Sequence, residues 1–114
     1  MVKKLKPHVW KTATSPATAA AIKSMMVQVV QGGTGTTAQI PGVTVAGKTG
    51  TAETCNDCNV YDAWFIFFAP ADHPKVAGAV VVEHVANGFG GAVSAPIAKQ
   101  LMQAILPTSS NGKP

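Results

Sequence analysis

Tyr61–Ala69 and Val76–Val85 are aromatic and apolar runs joined by Pro70-Ala71-Asp72-His73-Pro74-Lys75. No other feature constrains the fold as strongly. Proline presets φ and aspartate bonds its own backbone, so the connector suits a turn, and two such runs around a turn read as an antiparallel hairpin. Upstream, Val43–Glu53 opens on β-branched Val43, Thr44 and Val45 and is expected to be a third strand, despite Gly47 and Gly50. Glycine inside a strand often marks the close approach of another backbone or of a ligand.

Helices are expected on both sides of these strands. Ser15-Pro16 reads as an N-cap followed by proline at the first helical position, and Ala17–Gln31 then fits a helix stopped by Gly32-Gly33. Ile22, Met26 and Val29 fall on one face, broadened by Met25 and Val30. Val93–Leu106 is expected to be the last helix, with Ile97, Leu101 and Ile105 spaced four apart. Gly32–Gly42, Thr54–Val60 and Ala86–Gly91 are expected loops. The order helix, strand, strand, strand, helix predicts an α+β fold, a three-stranded antiparallel sheet with helices on one face. Residues 15–106 would form this unit, after a basic irregular segment over 1–14 and before a disordered tail over 107–114.

At 114 residues the chain allows one small domain. Only 12% of residues are charged, about half the usual share, which suggests a surface that something else covers. The formal net charge is +4, and every strongly basic side chain is lysine. Without arginine there is no bidentate donor for bases or phosphates, so no nucleic-acid partner is expected. The lysines at 3, 4, 6 and 11 read as a solvated end. No apolar stretch approaches the ~20 residues of a membrane span, and no apolar core follows the charged start as in a signal peptide.

Gly47-Lys48-Thr49-Gly50-Thr51 carries the most chemistry. Lys48 supplies a positive charge, Thr49 and Thr51 supply hydroxyls, and Gly50 removes a side chain that would obstruct a peptide lying along the strand. Such a set suits an extended anionic substrate added to a sheet edge. Its surroundings are equally specific: Val45-Ala46 before it and Ala52-Glu53 after it; upstream, Met25-Met26-Val27, Gly33-Thr34-Gly35 and Ile40-Pro41-Gly42; downstream, Ala63-Trp64-Phe65-Ile66, Phe68-Ala69-Pro70-Ala71, Val80-Val81-Val82-Glu83 and Ala95-Pro96-Ile97-Ala98. Together these resemble the C-terminal portion of a class B penicillin-binding protein transpeptidase domain over about residues 15–106, with Lys-Thr-Gly as the shared signature.

The resemblance implies a substrate-binding role in peptidoglycan cross-linking. Lys48 would hold the carboxylate of a D-Ala-D-Ala stem peptide or of a β-lactam. Thr49 and Thr51 would hydrogen-bond it, beside Gly50, and the Thr51 backbone N–H would be one oxyanion donor. No cofactor or metal is implied. The parent family is extracytoplasmic and membrane-anchored. The family also needs a serine nucleophile in S-x-x-K and a hydroxyl in S-x-N, both before the Lys-Thr-Gly strand, and neither occurs before Lys48. The overlapping Ser110-Asn111-Gly112-Lys113 and Ser109-Ser110-Asn111 would make one tail segment fill two places, so they are rejected. The chain is therefore not expected to acylate alone. It should associate with the missing N-terminal part of the domain or with itself.

Other readings compete. A non-catalytic binding or assembly module with the same half-fold needs only the scaffold. Gly42–Thr49 matches G-x-x-x-x-G-K-[ST] literally, but a nucleotide-binding P-loop needs a helix after it. Cys55-Asn56-Asp57-Cys58 leaves a disulfide, free thiols, a redox pair or half a zinc site open. His8, His73 and His84 are the candidate further zinc ligands, none at finger-like spacing. His84 itself reads as a strand residue with a satisfied hydrogen bond.

Overall fold

Ser15 starts the first helix as expected. Its Oγ accepts from the Thr18 backbone N–H at 3.1 Å, Pro16 follows at the first position, and α1 runs Pro16–Gly32. The computed structural model describes residues 6–107. Residues 6–14 form neither helix nor strand, whereas the rest of the basic segment and the tail beyond Pro107 lie outside the described residues, with Ser109–Lys113 among them. Of the apolar face expected on α1, only part is used. Val30 is buried and Met26 and Val29 are half-buried, but Ile22 and Met25 are exposed, because only the carboxyl-terminal end of α1 reaches the body. Gln39 secures that end: its amide donates to the Val30 and Gln31 carbonyls at 2.9 and 3.0 Å, two of the acceptors a helix terminus leaves open.

The expected loop after α1 contains a single 3-10 turn, Thr36–Ala38, with Ala38 fully buried. The strands are β1 (Ala46–Glu53), β2 (Val60–Ala69) and β3 (Val76–Ala86). They form one antiparallel sheet in the order β1-β2-β3, so β1 is an edge. β1 begins three residues later than expected. Val43 bridges back to Ile40 around Gly42, whose φ of 78° only glycine takes without strain, so that stretch is a turn before it is a ladder.

The last helix, α2, spans Gly90–Ile105 and starts earlier than expected, with Pro96 inside it. Its buried face also differs. Ser94, Ala95, Ala98 and Met102 face the sheet, while Ile97, Leu101 and Ile105 are exposed. Small residues let the helix axis lie close to the strands, and the larger aliphatics are left outside. The core formed on this face joins Val30, Ala38, Val45, Phe65, Phe67, Ala69, Val80, Ala95, Ala98, Met102 and Leu106, so both helices pack on the same side of the sheet.

Residues paired across an antiparallel ladder share a face. Phe65 and Phe67 point to the helices; Trp64, Ile66 and Val81 point the other way and are exposed. His84 occupies a bulge opposite Asp62, with a φ of 56°. Its backbone N–H, rather than its imidazole, donates to Asp62 Oδ1 at 3.0 Å, which makes Asp62 a bulge cap. Cys55 and Cys58 are joined as a disulfide in the β1–β2 turn. Among the described residues no group of three or more His, Cys, Asp or Glu side chains gathers to hold a metal, and no helix is long and apolar enough to cross a membrane.

Candidate substrate-binding groove beside the edge strand

The Lys-Thr-Gly-Thr segment lies mid-way along β1, with Lys48 opposite Ile66, Thr49 opposite Phe65, Gly50 opposite Trp64 and Thr51 opposite Ala63. Alternation along the strand separates its functional side chains. Thr49 and Thr51 lie on the helix side, as Phe65 and Ala63 do, whereas Lys48 is exposed on the other side with Ile66 and donates from Nζ to the Thr49 carbonyl at 2.6 Å. The ammonium and the hydroxyls therefore flank one strand edge from opposite faces. β2 covers only one side of β1, and the free edge is open to an added strand.

Thr49 and Thr51 line a groove of about 480 Å³ with Thr34, Thr37, Phe89 and Gly91. Thr36 lines it as well, so five of its ten lining residues carry hydroxyls. The amino end of α2 closes one side. No side chain caps it; the Ala92 and Val93 N–H groups both donate to the Phe89 carbonyl at 3.0 Å, and the helix dipole favours a negative charge at this end. Phe89 at that end stacks on Tyr61, with ring centroids 6.5 Å apart, which ties the β3–α2 connection to β2. Thr37 Oγ1 donates to the Gly91 carbonyl and holds the 3-10 turn against α2.

Glycine explains how the pieces come so close. A Cβ on Gly90 would fall against the Trp64 carbonyl and within 2.7 Å of the Gly50 carbonyl oxygen. Gly47 was expected to mark the close approach of another backbone or of a ligand, and the Phe65 ring occupies that space: a Cβ there would lie 3.0 Å from both Cε atoms and nearer still to Cζ. A Cβ on Gly50 would meet Trp64 alone, tightly at Cβ (3.2 Å) and at ordinary contact distance at Cγ (3.9 Å). A second groove, about 680 Å³, runs from Val30 and Gln31 past Ile40–Val45 to Lys99, away from the Lys-Thr-Gly segment. Thr49 lies within β1, which leads into a turn and another strand rather than directly into a helix, so Gly42–Thr49 does not form a P-loop.

The family model for the penicillin binding protein transpeptidase domain matches residues 1–103. The chain belongs to this family. Relatives include the peptidoglycan D,D-transpeptidase PbpA of Mycobacterium tuberculosis, 44% identical over 105 residues that cover 84% of this chain and 20% of the relative. Stage V sporulation protein D of Bacillus subtilis is 39% identical over 112 residues, 93% of this chain and 17% of the relative. Among solved structures, the penicillin G acyl-enzyme complex of M. tuberculosis penicillin-binding protein A superposes with a TM-score of 0.74 at 40% identity, covering 93% of this chain and 24% of that one. The D,D-transpeptidase domain from Eggerthella lenta gives 0.73 at 40% identity, covering 90% and 24%. This chain thus spans about a fifth of the length of the curated relatives it matches.

Proposed function

We propose that this chain is the C-terminal part of a peptidoglycan D,D-transpeptidase domain and that its β1 edge binds the carboxylate end of a D-Ala-D-Ala stem peptide or of a β-lactam. One observation carries the reading. Lys48, Thr49, Gly50 and Thr51 stand on an open edge strand beside a hydroxyl-lined groove that ends at a helix amino terminus. An extended peptide added to that edge would bring its acidic end to the Thr49 and Thr51 hydroxyls, with the Lys48 charge across the strand and the Thr51 backbone N–H as an oxyanion donor. The nucleophile would come from a segment bearing S-x-x-K. Residues 15–106 are the part that forms this unit, and the parent protein would act outside the cytoplasm, where peptidoglycan is built.

A fluorescent penicillin tests the reading. The chain by itself stays unlabelled, and mixing it with the S-x-x-K-bearing part of a transpeptidase domain produces covalent labelling. Lys48→Met slows that labelling about 10- to 100-fold, the loss expected for a charged hydrogen-bond partner. Equal labelling with and without the lysine removes Lys48 from the role. Labelling in neither arrangement leaves a scaffold.

The same reading says what covers the apolar surface. Trp64, Ile66 and Val81 on the open sheet face, and Ile97, Leu101 and Ile105 on α2, would meet the remainder of the domain. On its own the chain is expected to elute from a sizing column as larger than a monomer, and Trp64→Ser with Ile66→Thr shifts it toward monomer. A clean monomer at every concentration contradicts this.

A further inference from the structure

Gly33-Thr34-Gly35 links α1 to the 3-10 turn, and its two glycines have steric reasons. A Cβ on Gly33 would lie 3.0 Å from Val29 backbone atoms. One on buried Gly35 would lie 3.1 Å from the Phe65 ring and 3.2 Å from Val29 Cγ1. Both N–H groups donate to the Val29 carbonyl, at 3.2 and 2.9 Å. On the other side, Gly91 packs so closely that any side chain there would strike the Thr34 carbonyl. Thr34 is thus clamped between the end of α1 and the start of α2. Its side chain emerges in the groove, with Oγ1 2.7 Å from Thr49 Oγ1.

We propose that Thr34 is a positioning residue for the groove: its hydroxyl donates to Thr49 Oγ1 and so leaves the Thr49 proton for an anionic ligand. The inference rests on the groove reading given above. A hydroxyl has one proton and two lone pairs. If Thr49 donated to Thr34, it would present only lone pairs to a carboxylate, which repel it. With Thr34 as donor, the Thr49 proton is free, and the chain Thr34–Thr49–carboxylate is polarised in one direction. A bound carboxylate selects the second arrangement. The clamp on Thr34 means that little freedom is lost in holding it.

The test is a double-mutant cycle read by NMR titration of this chain with a D-Ala-D-Ala-terminated peptide, followed at the Thr49 and Thr51 amides. Thr49→Val weakens binding about 10-fold or more, and Thr34→Val about 3- to 10-fold. Thr34→Ser, which keeps the donor, stays within about 2-fold of the unaltered chain. Because Thr34 acts through Thr49, the double valine variant is no weaker than Thr49→Val alone. Thermal melts of each variant separate binding from folding. Additive losses, or a Thr34→Val chain that titrates like the unaltered one, overturn the assignment of Thr34. No shift in the unaltered chain, or none lost in Thr49→Val, overturns the groove reading itself.

Discussion

Gly47→Val is expected to destabilise the chain by about 3 kcal/mol or more, at the upper end of what overpacking a core costs. Gly47 is buried on β1 opposite Phe67, and the edge of the Phe65 ring lies over its Cα. Phe65 is fully buried and stacks near Phe67, with centroids 6.3 Å apart, in the cluster that also holds Ala95, Ala98 and Met102. The ring cannot swing aside without displacing α2, because interiors at native density have no spare volume. A branched side chain at 47 must therefore push β1 off the sheet or drive Phe65 out. Urea unfolding should show a lower midpoint with little change in slope. Shortening the ring with Phe65→Leu should recover part of the loss in the Gly47→Val background, although alone it costs stability by leaving a cavity. That opposite-signed coupling is the signature of two groups competing for one space. A Gly47→Val chain as stable as the parent would mean that the ring does not lie on the strand.

Gly47 also shows where sequence reasoning stops. A glycine in a strand announces close approach but not by what. Another backbone or a ligand was the expected occupant, and the occupant is a phenylalanine ring 18 residues further along, whose position depends on ladder register. The hairpin was legible because its strands are long, apolar and separated by turn chemistry. The faces of the helices were not. Aliphatic spacing pointed to Ile97, Leu101 and Ile105, yet Ala95, Ala98 and Met102 are inside. Hydrophobic periodicity records that a face is covered, not by what. In a chain that spans a fifth of its relatives' length, two apolar faces compete for one core. Lys48 to Thr51 were legible as chemistry, since charge and hydroxyls are properties of residue type. Their distribution over both sides of β1, and the Thr34–Thr49 contact across 15 residues, needed the fold. The glycines around Thr34 were the single local hint.

Gly90→Ala sets helix propensity against geometry, and geometry is expected to win. In a free helix the change stabilises by about 1 kcal/mol, because alanine loses less backbone entropy than glycine. At position 90 the new methyl meets the Trp64 and Gly50 carbonyl oxygens and lies 3.1 Å from the Gly50 nitrogen. All are main-chain atoms held in the β1–β2 ladder, so no rotamer change relieves the contact. The amino end of α2 must withdraw from β1, loosening the Phe89–Tyr61 stack and the Thr37 bond to Gly91 together. A net loss of about 2 kcal/mol is expected in urea unfolding, the opposite sign to the propensity effect. Gly32→Ala is the matching control. A Cβ there has nothing within 4 Å at the last position of α1, so that variant should be neutral or more stable by up to about 1 kcal/mol. The groove gives a second readout, since α2 supplies the end that faces an anionic ligand. Gly90→Ala should weaken binding of a D-Ala-D-Ala-terminated peptide by more than its stability loss explains at temperatures where the chain remains folded. Gly32→Ala should leave that binding unchanged. If Gly90→Ala instead raises stability and binds as tightly, α2 does not rest on the strand at Gly50, and the groove is not closed as described.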